Sequence, residues 1–167
     1  MLERNVSGLR KSPLISLTDQ DIAALKADIV AIGADESKII FNDGSHTCYI
    51  DAIDKIIVCG DVFPDDVYSR HPRDMMSARA VLAHEYYGHR ANRGTHLDSG
   101  SWNDEFRASY SAARNAPGLT EKDRMWLVLD AMERAKDAGV TIRWNSFMRS
   151  VVYGIDYEQA EPETETD

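Results

Sequence analysis

The part of this chain best suited to chemistry is residues 81–89, which read V-L-A-H-E-Y-Y-G-H. This run places two histidines and a glutamate in one apolar, helix-forming stretch. Imidazole nitrogens are ligands that Zn²⁺ prefers, and a carboxylate beside the first histidine can act as a general base on water bound to the metal. The stretch therefore predicts a zinc site with His84 and His89 as ligands and Glu85 as the base.

The two histidines are five residues apart, one more than in the common H-E-x-x-H zinc helix. In a regular helix, four residues turn a side chain by only about 40°, whereas five residues turn it by roughly 140°. A single π-type turn accommodates one extra residue and would return both imidazoles to the same face. Gly88, just before the second histidine, lowers the steric cost of that irregularity. We therefore expect a π-type turn between the histidines.

Residues 84–89, H-E-Y-Y-G-H, resemble the H-E-L-L-G-H helix of the dipeptidyl peptidase III family. Members of that family are zinc peptidases whose third ligand comes from a downstream helix reading E-E-C-R-A-D. The corresponding residues 104–109 read D-E-F-R-A-S, which is similar in the second acid, the arginine and the alanine. The resemblance covers two short motifs within about 26 residues. It implies a zincin of the gluzincin type with Glu105 as third zinc ligand, but not the substrate.

Two other residues remain open as third ligand. A turn at Gly94 followed by His96 is similar to the metzincin pattern H-E-x-x-H-x-x-G-x-x-H, although both intervals differ here. Met148 would then correspond to the methionine turn beneath a metzincin site, but a buried methionine in an apolar segment is the more economical interpretation. Asp98 is the other candidate, although a loop aspartate is usually a turn residue.

Hydrolysis also needs a donor that stabilises the oxyanion, a role that tyrosines and histidines often have. The candidates in this chain are Tyr86, Tyr87, Tyr110, Tyr153, His46 and His96. Tyr153 is the favoured catalytic donor because it follows an apolar run and precedes Gly154. Glu85 would accept a proton from the activated water and pass it to the leaving amine.

A small, mostly antiparallel sheet is predicted from three short runs rich in β-branched residues, at 37–41, 47–50 and 55–59. A turn signal at residues 42–44 separates the first two runs. In zincins, the strand just before the active-site helix pairs with extended substrate. The resemblance therefore implies that residues 56–61 form the substrate-facing edge, with an ordinary core strand as the alternative.

Helical patterns are expected on both sides of this sheet. An apolar stripe predicts a helix between Thr18 and Gly33, with Thr18 and Asp21 approximating a capping box at its start. The zinc helix is expected from about residue 75 to residue 92. Residues 102–115 are expected to form a helix with Ser101 as its N-cap and with one bulky and one small stripe. The small stripe could lie against the zinc helix with only Glu105 reaching the metal. The expected fold is α+β and zincin-like, with a small sheet packed on the active-site helix and further C-terminal helices.

Cys48 and Cys59 are the only cysteines in the chain. Both fall on predicted strands, and a turn near residues 53–54 would place them opposite each other. Two buried thiols are the favoured interpretation, with a cross-strand disulfide as the alternative in an oxidising compartment. Their spacing is not C-x-x-C, so we do not expect a cysteine zinc site.

The chain has 167 residues, which suits one domain with a proper core, and residues 1–155 are expected to form a single zincin-like domain. The net charge is −9, and six acids but no lysine or arginine lie in residues 156–167, so that tail is expected to be disordered. The remaining chain is only mildly acidic, which argues against a nucleic-acid partner. With no membrane-spanning run and no signal peptide, we expect no membrane association and a cytoplasmic location. Secretion by a signal outside this chain would leave the same sequence.

Two functions of different classes fit these residues. The first is a small zinc-dependent metallopeptidase that cleaves a peptide or protein substrate. The second is a non-catalytic zincin-like scaffold that binds a partner protein and holds a structural zinc, with a fourth ligand such as His96 or Asp98. The chain has little room for a second lobe, so we expect specificity to depend on a partner or a parent protein.

Overall fold

The computed structural model describes residues 10–42, 44–65, 69–95 and 97–154. In chain order its helices and strands are α1 (Asp19–Ala31), β1 (Ile39–Phe41), β2 (Cys48–Ile50), β3 (Lys55–Val58), α2 (Pro72–Met75), α3 (Ala78–Ala83), a π-helical segment (His84–Arg90), α4 (Trp102–Asn115), α5 (Glu121–Asp137) and α6 (Ser146–Tyr153). The predicted mixed α+β class is confirmed. The expected acidic tail lies outside the described residues.

Local capping signals define where the helices around the site begin. Thr18 and Asp21 form the capping box that opens α1, as predicted. Ser101 is the N-cap of α4, which runs over the predicted residues. The helix that leads into the two histidines begins at Ala78, later than expected, because Ser77 caps it after the short helix α2. Within the described ranges, none of these helices has the length and apolar character needed to cross a membrane.

The three-stranded sheet is mixed rather than mostly antiparallel. β3 is the central strand, and it pairs in parallel with β1 and antiparallel with β2. Three of the four residues of β3 are buried, so this strand takes a partner on each edge and keeps β1 and β2 apart. Asp43, in the turn signal between those two strands, lies outside the described residues.

The edge strand of the sheet that faces the π-helical segment is β2. Its Tyr49 backbone N–H donates to the Glu85 carboxylate at 2.8 Å, which shows that the outer edge of β2 lies against the π-helical segment. The prediction that residues 56–61 form this edge is wrong because β3 is internal. The register also sets Cys48 opposite Ile57 rather than Cys59, and no disulfide joins the two cysteines.

The hydrophobic core lies where α1, β3, α3 and α5 meet. Its largest fully buried apolar side chains include Leu25, Ile29, Ile32, Ile56, Val58, Leu82, Leu127 and Val128. Met148 of α6 is buried in the same cluster, as the more economical interpretation of that methionine predicted. This core fixes α3 and α5 relative to each other, and α4 packs on α5 and on the π-helical segment.

Helix α4 crosses the π-helical segment at very close range. The small stripe of α4 is buried at this crossing, where Ala108, Ser109 and Ala112 are at most 1% exposed. A Cβ atom on Gly88 would lie 2.7 Å from the Cα of Ala108 and closer still to its carbonyl oxygen. Position 88 therefore needs a glycine because the backbones of the π-helical segment and α4 approach each other there. From the sequence, Gly88 was expected only to ease the π-type turn through its conformational freedom.

Gly88→Ala is expected to destabilise the protein by about 1–3 kcal/mol, because the added methyl group must displace the backbone of α4. The same displacement moves Glu105, so metal affinity falls as well. Thermal unfolding and competition with a chromophoric chelator measure the two effects.

Gly139→Ala is the matched control for this variant. Its added Cβ meets no atom within 4 Å, so it introduces only a left-handed alanine at a cost of about 1 kcal/mol. Metal affinity should be unchanged in this control. Equal metal affinity in both variants would show that the helix crossing does not position Glu105.

Candidate metal centre

The π-helical segment brings His84 and His89 together. Within it, the N–H of Ala91 donates to the carbonyl of Tyr86, five residues earlier, which is the hydrogen-bond pattern of a π-helix. The two Nε2 atoms lie 3.1 Å apart, and the ring centroids are separated by 4.7 Å. The π-type turn predicted from the histidine spacing is confirmed.

Helix α4 brings a carboxylate to the same point. Glu105 Oε2 lies 3.0 Å from His84 Nε2 and 3.3 Å from His89 Nε2. Ligands of a tetrahedral zinc ion, each about 2.0–2.1 Å from the metal, are about 3.3–3.4 Å from one another. The three atoms therefore have spacings close to those of a zinc ligand set. The structure thus brings together the three residues that the sequence proposed as ligands.

A serine and an aspartate behind His84 determine which of its nitrogens carries the proton. The Ser109 hydroxyl donates to Asp130 Oδ2 at 2.6 Å, since a carboxylate only accepts. Ser109 Oγ must therefore accept the hydrogen bond at 2.8 Å from Nδ1–H of His84. In the neutral imidazole, this tautomer leaves the Nε2 lone pair directed at the metal position.

His89 has a similar support from Asp104. Its Nδ1 lies 3.5 Å from Asp104 Oδ2, and the same oxygen accepts the backbone N–H of Gly100 at 3.0 Å. His89, Asp104 and Glu105 form a second group of residues that could hold a cation. Asp104 directly precedes Glu105, the predicted third ligand. The family motif also has an acid at this position, and that match was the only sign in the sequence that Asp104 belongs to the site.

The three converging atoms need a shared positive charge. With both Nδ1 atoms protonated, the Nε2 atoms and Glu105 Oε2 direct lone pairs at one another over 3.0–3.3 Å. Burial disfavours a charged His89, but Glu105, Glu85 and Asp104 outweigh it and raise the pKa of His89 to about 9. Burial also opposes ionisation of Glu105, yet the two histidines hold its carboxyl pKa well below its usual range. A proton or a metal ion satisfies this cluster.

Glu85 lies beside this cluster without joining its shortest contacts. It is only 7% exposed, and its Oε2 accepts the backbone N–H of Tyr49 from β2. Its carboxylate comes within 4.8 Å of the ligand atoms of both histidines. Burial raises the pKa of Glu85 above the usual value for a glutamate, although the nearby histidines oppose this shift. A carboxyl group with a raised pKa is suited to exchanging protons near neutral pH.

A cleft of about 440 Å³ opens over the cluster. The β2 edge lines one side, at Thr47, Cys48 and Tyr49, and the loop after the π-helical segment lines the other. Three arginines also line the cleft, namely Arg93, Arg107 and Arg134. The site is therefore a largely buried cluster that could hold a cation and that can be reached from solvent.

The structure does not bring Tyr153 to this cleft. It is 60% exposed at the end of α6, where its ring lies 5.7 Å from that of Trp144. Four other candidate donors also form hydrogen bonds away from the cleft. The partner of each side chain is a residue that does not line the cleft, and these four donors are Tyr86, Tyr87, Tyr110 and His46. The apolar run before Tyr153 did not indicate which face of the molecule that segment covers.

The alternative third ligands receive no support from the described residues. His96, the metzincin-like candidate, lies outside them. Asp98 is exposed, and its backbone carbonyl accepts hydrogen bonds from Ser101 at the start of α4. It therefore acts as a turn residue in the structure.

Comparison with known proteins finds no matching family model, and no curated protein or solved structure that matches the chain. The geometry and charge of the site define a cluster of two histidines and one carboxylate with a buried glutamate beside it.

Zinc binding is expected to release about one proton per ion at pH 7. His89, with a pKa of about 9 in the metal-free protein, is mostly protonated at pH 7 and must lose that proton to become a ligand. Zinc affinity should therefore increase about tenfold per pH unit up to about pH 9 and decrease as the pH falls. Calorimetric titrations in buffers of different ionisation enthalpy count the protons. Affinity independent of pH between 7 and 8 would contradict this coupling.

Ser109→Ala is expected to weaken zinc binding about 10–100-fold, because Nδ1–H of His84 loses its acceptor and the preferred tautomer is no longer fixed. The smaller side chain fits the buried face of α4, so the far-ultraviolet circular dichroism should not change. Ser111→Ala is the matched control, since Ser111 lies on the same helix and bonds only to Asn92 among the described contacts. Equal zinc affinity in both variants would exclude the positioning role of Ser109.

Proposed function

We propose that this protein is a zinc-dependent metallopeptidase of the zincin class, gluzincin type, in which His84, His89 and Glu105 hold the ion. The observation that carries the proposal is the triangle of Nε2, Nε2 and Oε2 atoms with edges of 3.0–3.3 Å, beside a buried glutamate. Three protein ligands in an accessible cleft leave a position for water, which is typical of catalytic rather than structural zinc.

Glu85 is the general base in this proposal. Zinc in such a site supplies Lewis acidity, which lowers the pKa of a coordinated water toward neutrality and polarises the substrate carbonyl. Glu85 Oε2 is held by the Tyr49 N–H, which leaves Oε1 to take a proton from the attacking water. The same carboxyl group then gives this proton to the amine as the C–N bond breaks. Its raised pKa supports both transfers.

The position of β2 supports a peptide substrate. The outer edge of this strand borders the cleft at Tyr49, next to the base. An extended peptide can pair with a strand edge through backbone groups, and here it would use those left after the Tyr49 N–H has bonded to Glu85. The cleft volume of about 440 Å³ is within the range of small-molecule and peptide sites. The substrate would therefore lie between β2 and the loop after the π-helical segment.

One observation favours the non-catalytic alternative, a zincin-like scaffold with a structural zinc and a partner protein. Asp104 belongs to a second group of potential ligands with His89 and Glu105. A fourth protein ligand would close the site to water and exclude hydrolysis. The two functions differ in the role of Glu85. The peptidase needs Glu85 for hydrolysis but not for metal binding, whereas the scaffold does not hydrolyse peptides at all.

Glu85→Gln is expected to bind zinc within about threefold of wild type but to lower peptide hydrolysis about 10²–10⁴-fold, because the amide cannot accept the proton. A broad peptide library assayed by mass spectrometry measures hydrolysis, and chelator competition measures zinc affinity. Glu36→Gln is the control, since it makes the same substitution at an exposed residue paired with Lys26.

Three outcomes separate the functions. A zinc-loaded variant that no longer cleaves supports the peptidase. A wild-type protein that binds zinc but cleaves nothing in the library favours the scaffold. If the wild-type protein binds no zinc, both proposals are rejected.

A further inference from the structure

Arg134 of α5 approaches the cluster of His84, His89 and Glu105 and lines the same cleft. Its Nη1 lies 3.7 Å from Glu105 Oε2, the oxygen that both histidines contact. Its side chain is 23% exposed, so the guanidinium is partly shielded from water but accessible from the cleft. None of the residues identified from the sequence gave reason to expect a cation here.

Asp130, one turn earlier on α5, holds Arg134 in place. The Nε–H donates to Asp130 Oδ1 at 3.2 Å, while Oδ2 of the same carboxylate accepts the Ser109 hydroxyl. Among the described residues, the Nη atoms make no hydrogen bond, so their N–H groups remain for a ligand. A guanidinium group keeps its charge in proteins, and Asp130 fixes its position. The group is therefore a permanent, fixed cation.

The other two arginines of the cleft are committed to local contacts. Arg107 Nη2 donates to Thr95 Oγ1 at 2.7 Å, and Arg93 Nη1 donates to the Arg90 carbonyl at 2.8 Å. No ion pair joins either of them to Glu105 among the described residues. The tyrosines and His46 are directed elsewhere, as described above. Among the described residues, which do not include the candidate donor His96, Arg134 is therefore the best-placed cation beside the cluster of His84, His89 and Glu105.

We propose that Arg134 is the residue that stabilises the negative charge on the substrate carbonyl oxygen during hydrolysis. This inference rests on the proposed peptidase function. As the water oxygen bonds to the carbonyl carbon, the C=O π electrons move to the oxygen, and the guanidinium donates hydrogen bonds to it without losing a proton. When the amine leaves with the proton from Glu85, the C=O bond forms again and the charge on the oxygen disappears.

The test compares Arg134→Gln, Arg134→Lys and the charge-matched control Arg114→Gln, a residue of α4 that lies over the Phe147 ring. Methylphosphonate, a small tetrahedral anion, is the probe, and its affinity for each zinc-loaded protein is measured by ³¹P NMR titration. Removing one such donor typically costs roughly 10²–10³-fold in turnover. We expect R134Q to lose about tenfold or more in methylphosphonate affinity and roughly 10²-fold in kcat, with KM little changed.

The controls separate this role from a structural one. R134K keeps the charge and should retain most of the methylphosphonate affinity, and R114Q should match wild type in both assays. Zinc affinity is measured for every variant. If R134Q lowers zinc affinity as much as it lowers methylphosphonate affinity, Arg134 acts through Asp130 on the metal ligands and the inference is overturned.

Hydrolysis by the wild-type protein distinguishes the two proposals. If wild type and R134Q cleave peptides equally and bind methylphosphonate equally, only the role of Arg134 is rejected. If zinc-loaded wild type cleaves nothing, the peptidase function fails and the role of Arg134 in it is rejected too. If R134Q unfolds, Arg134→Met replaces it as the neutral variant, and a folded R134M that binds methylphosphonate as tightly as wild type rejects the role of Arg134.

Discussion

Two imidazole nitrogens and a carboxylate oxygen lie about 3 Å apart in a partly buried site, and the surrounding structure depends on the positive charge that they share. Electron-rich atoms at such distances repel unless a proton or a metal ion lies among them. In the metal-free protein, a proton on His89 meets this need, as its raised pKa indicates. The same arrangement is ready to exchange that proton for a cation.

Support for this cluster comes from elements that provide no ligand. Helix α5 contributes Asp130, which accepts hydrogen bonds from both Ser109 and Arg134 and so links the back of His84 to the cation beside Glu105. Gly88 lets α4 approach the π-helical segment closely enough for Glu105 to reach the histidines. The orientation of His84 and Glu105 and the charge of the cleft are therefore coupled through the packing of α4 between two neighbours.

The contact between Glu85 and β2 joins the sheet to the site. A buried carboxylate requires a donor, and the outer edge of an edge strand has backbone N–H groups that need acceptors. The hydrogen bond from Tyr49 satisfies both requirements and places the proposed base next to the strand edge where a peptide can pair. A mixed sheet with β3 in the middle makes this possible, since β2 then has a free edge directed at the helix.

The sequence alone determined the local features: the helix caps at Thr18 and Ser101, and the π-type turn, because a five-residue histidine spacing matches a π-turn and not an α-turn. The two-motif resemblance also pointed to Glu105. Only the tertiary structure decided that β2 rather than β3 faces the site and that Tyr153 lies elsewhere. It also placed Asp130 and Arg134 beside the cluster of His84, His89 and Glu105. Periodicity tells which residues share a face of a helix or strand, but the partner of that face is set by long-range packing, which leaves no pattern in the chain.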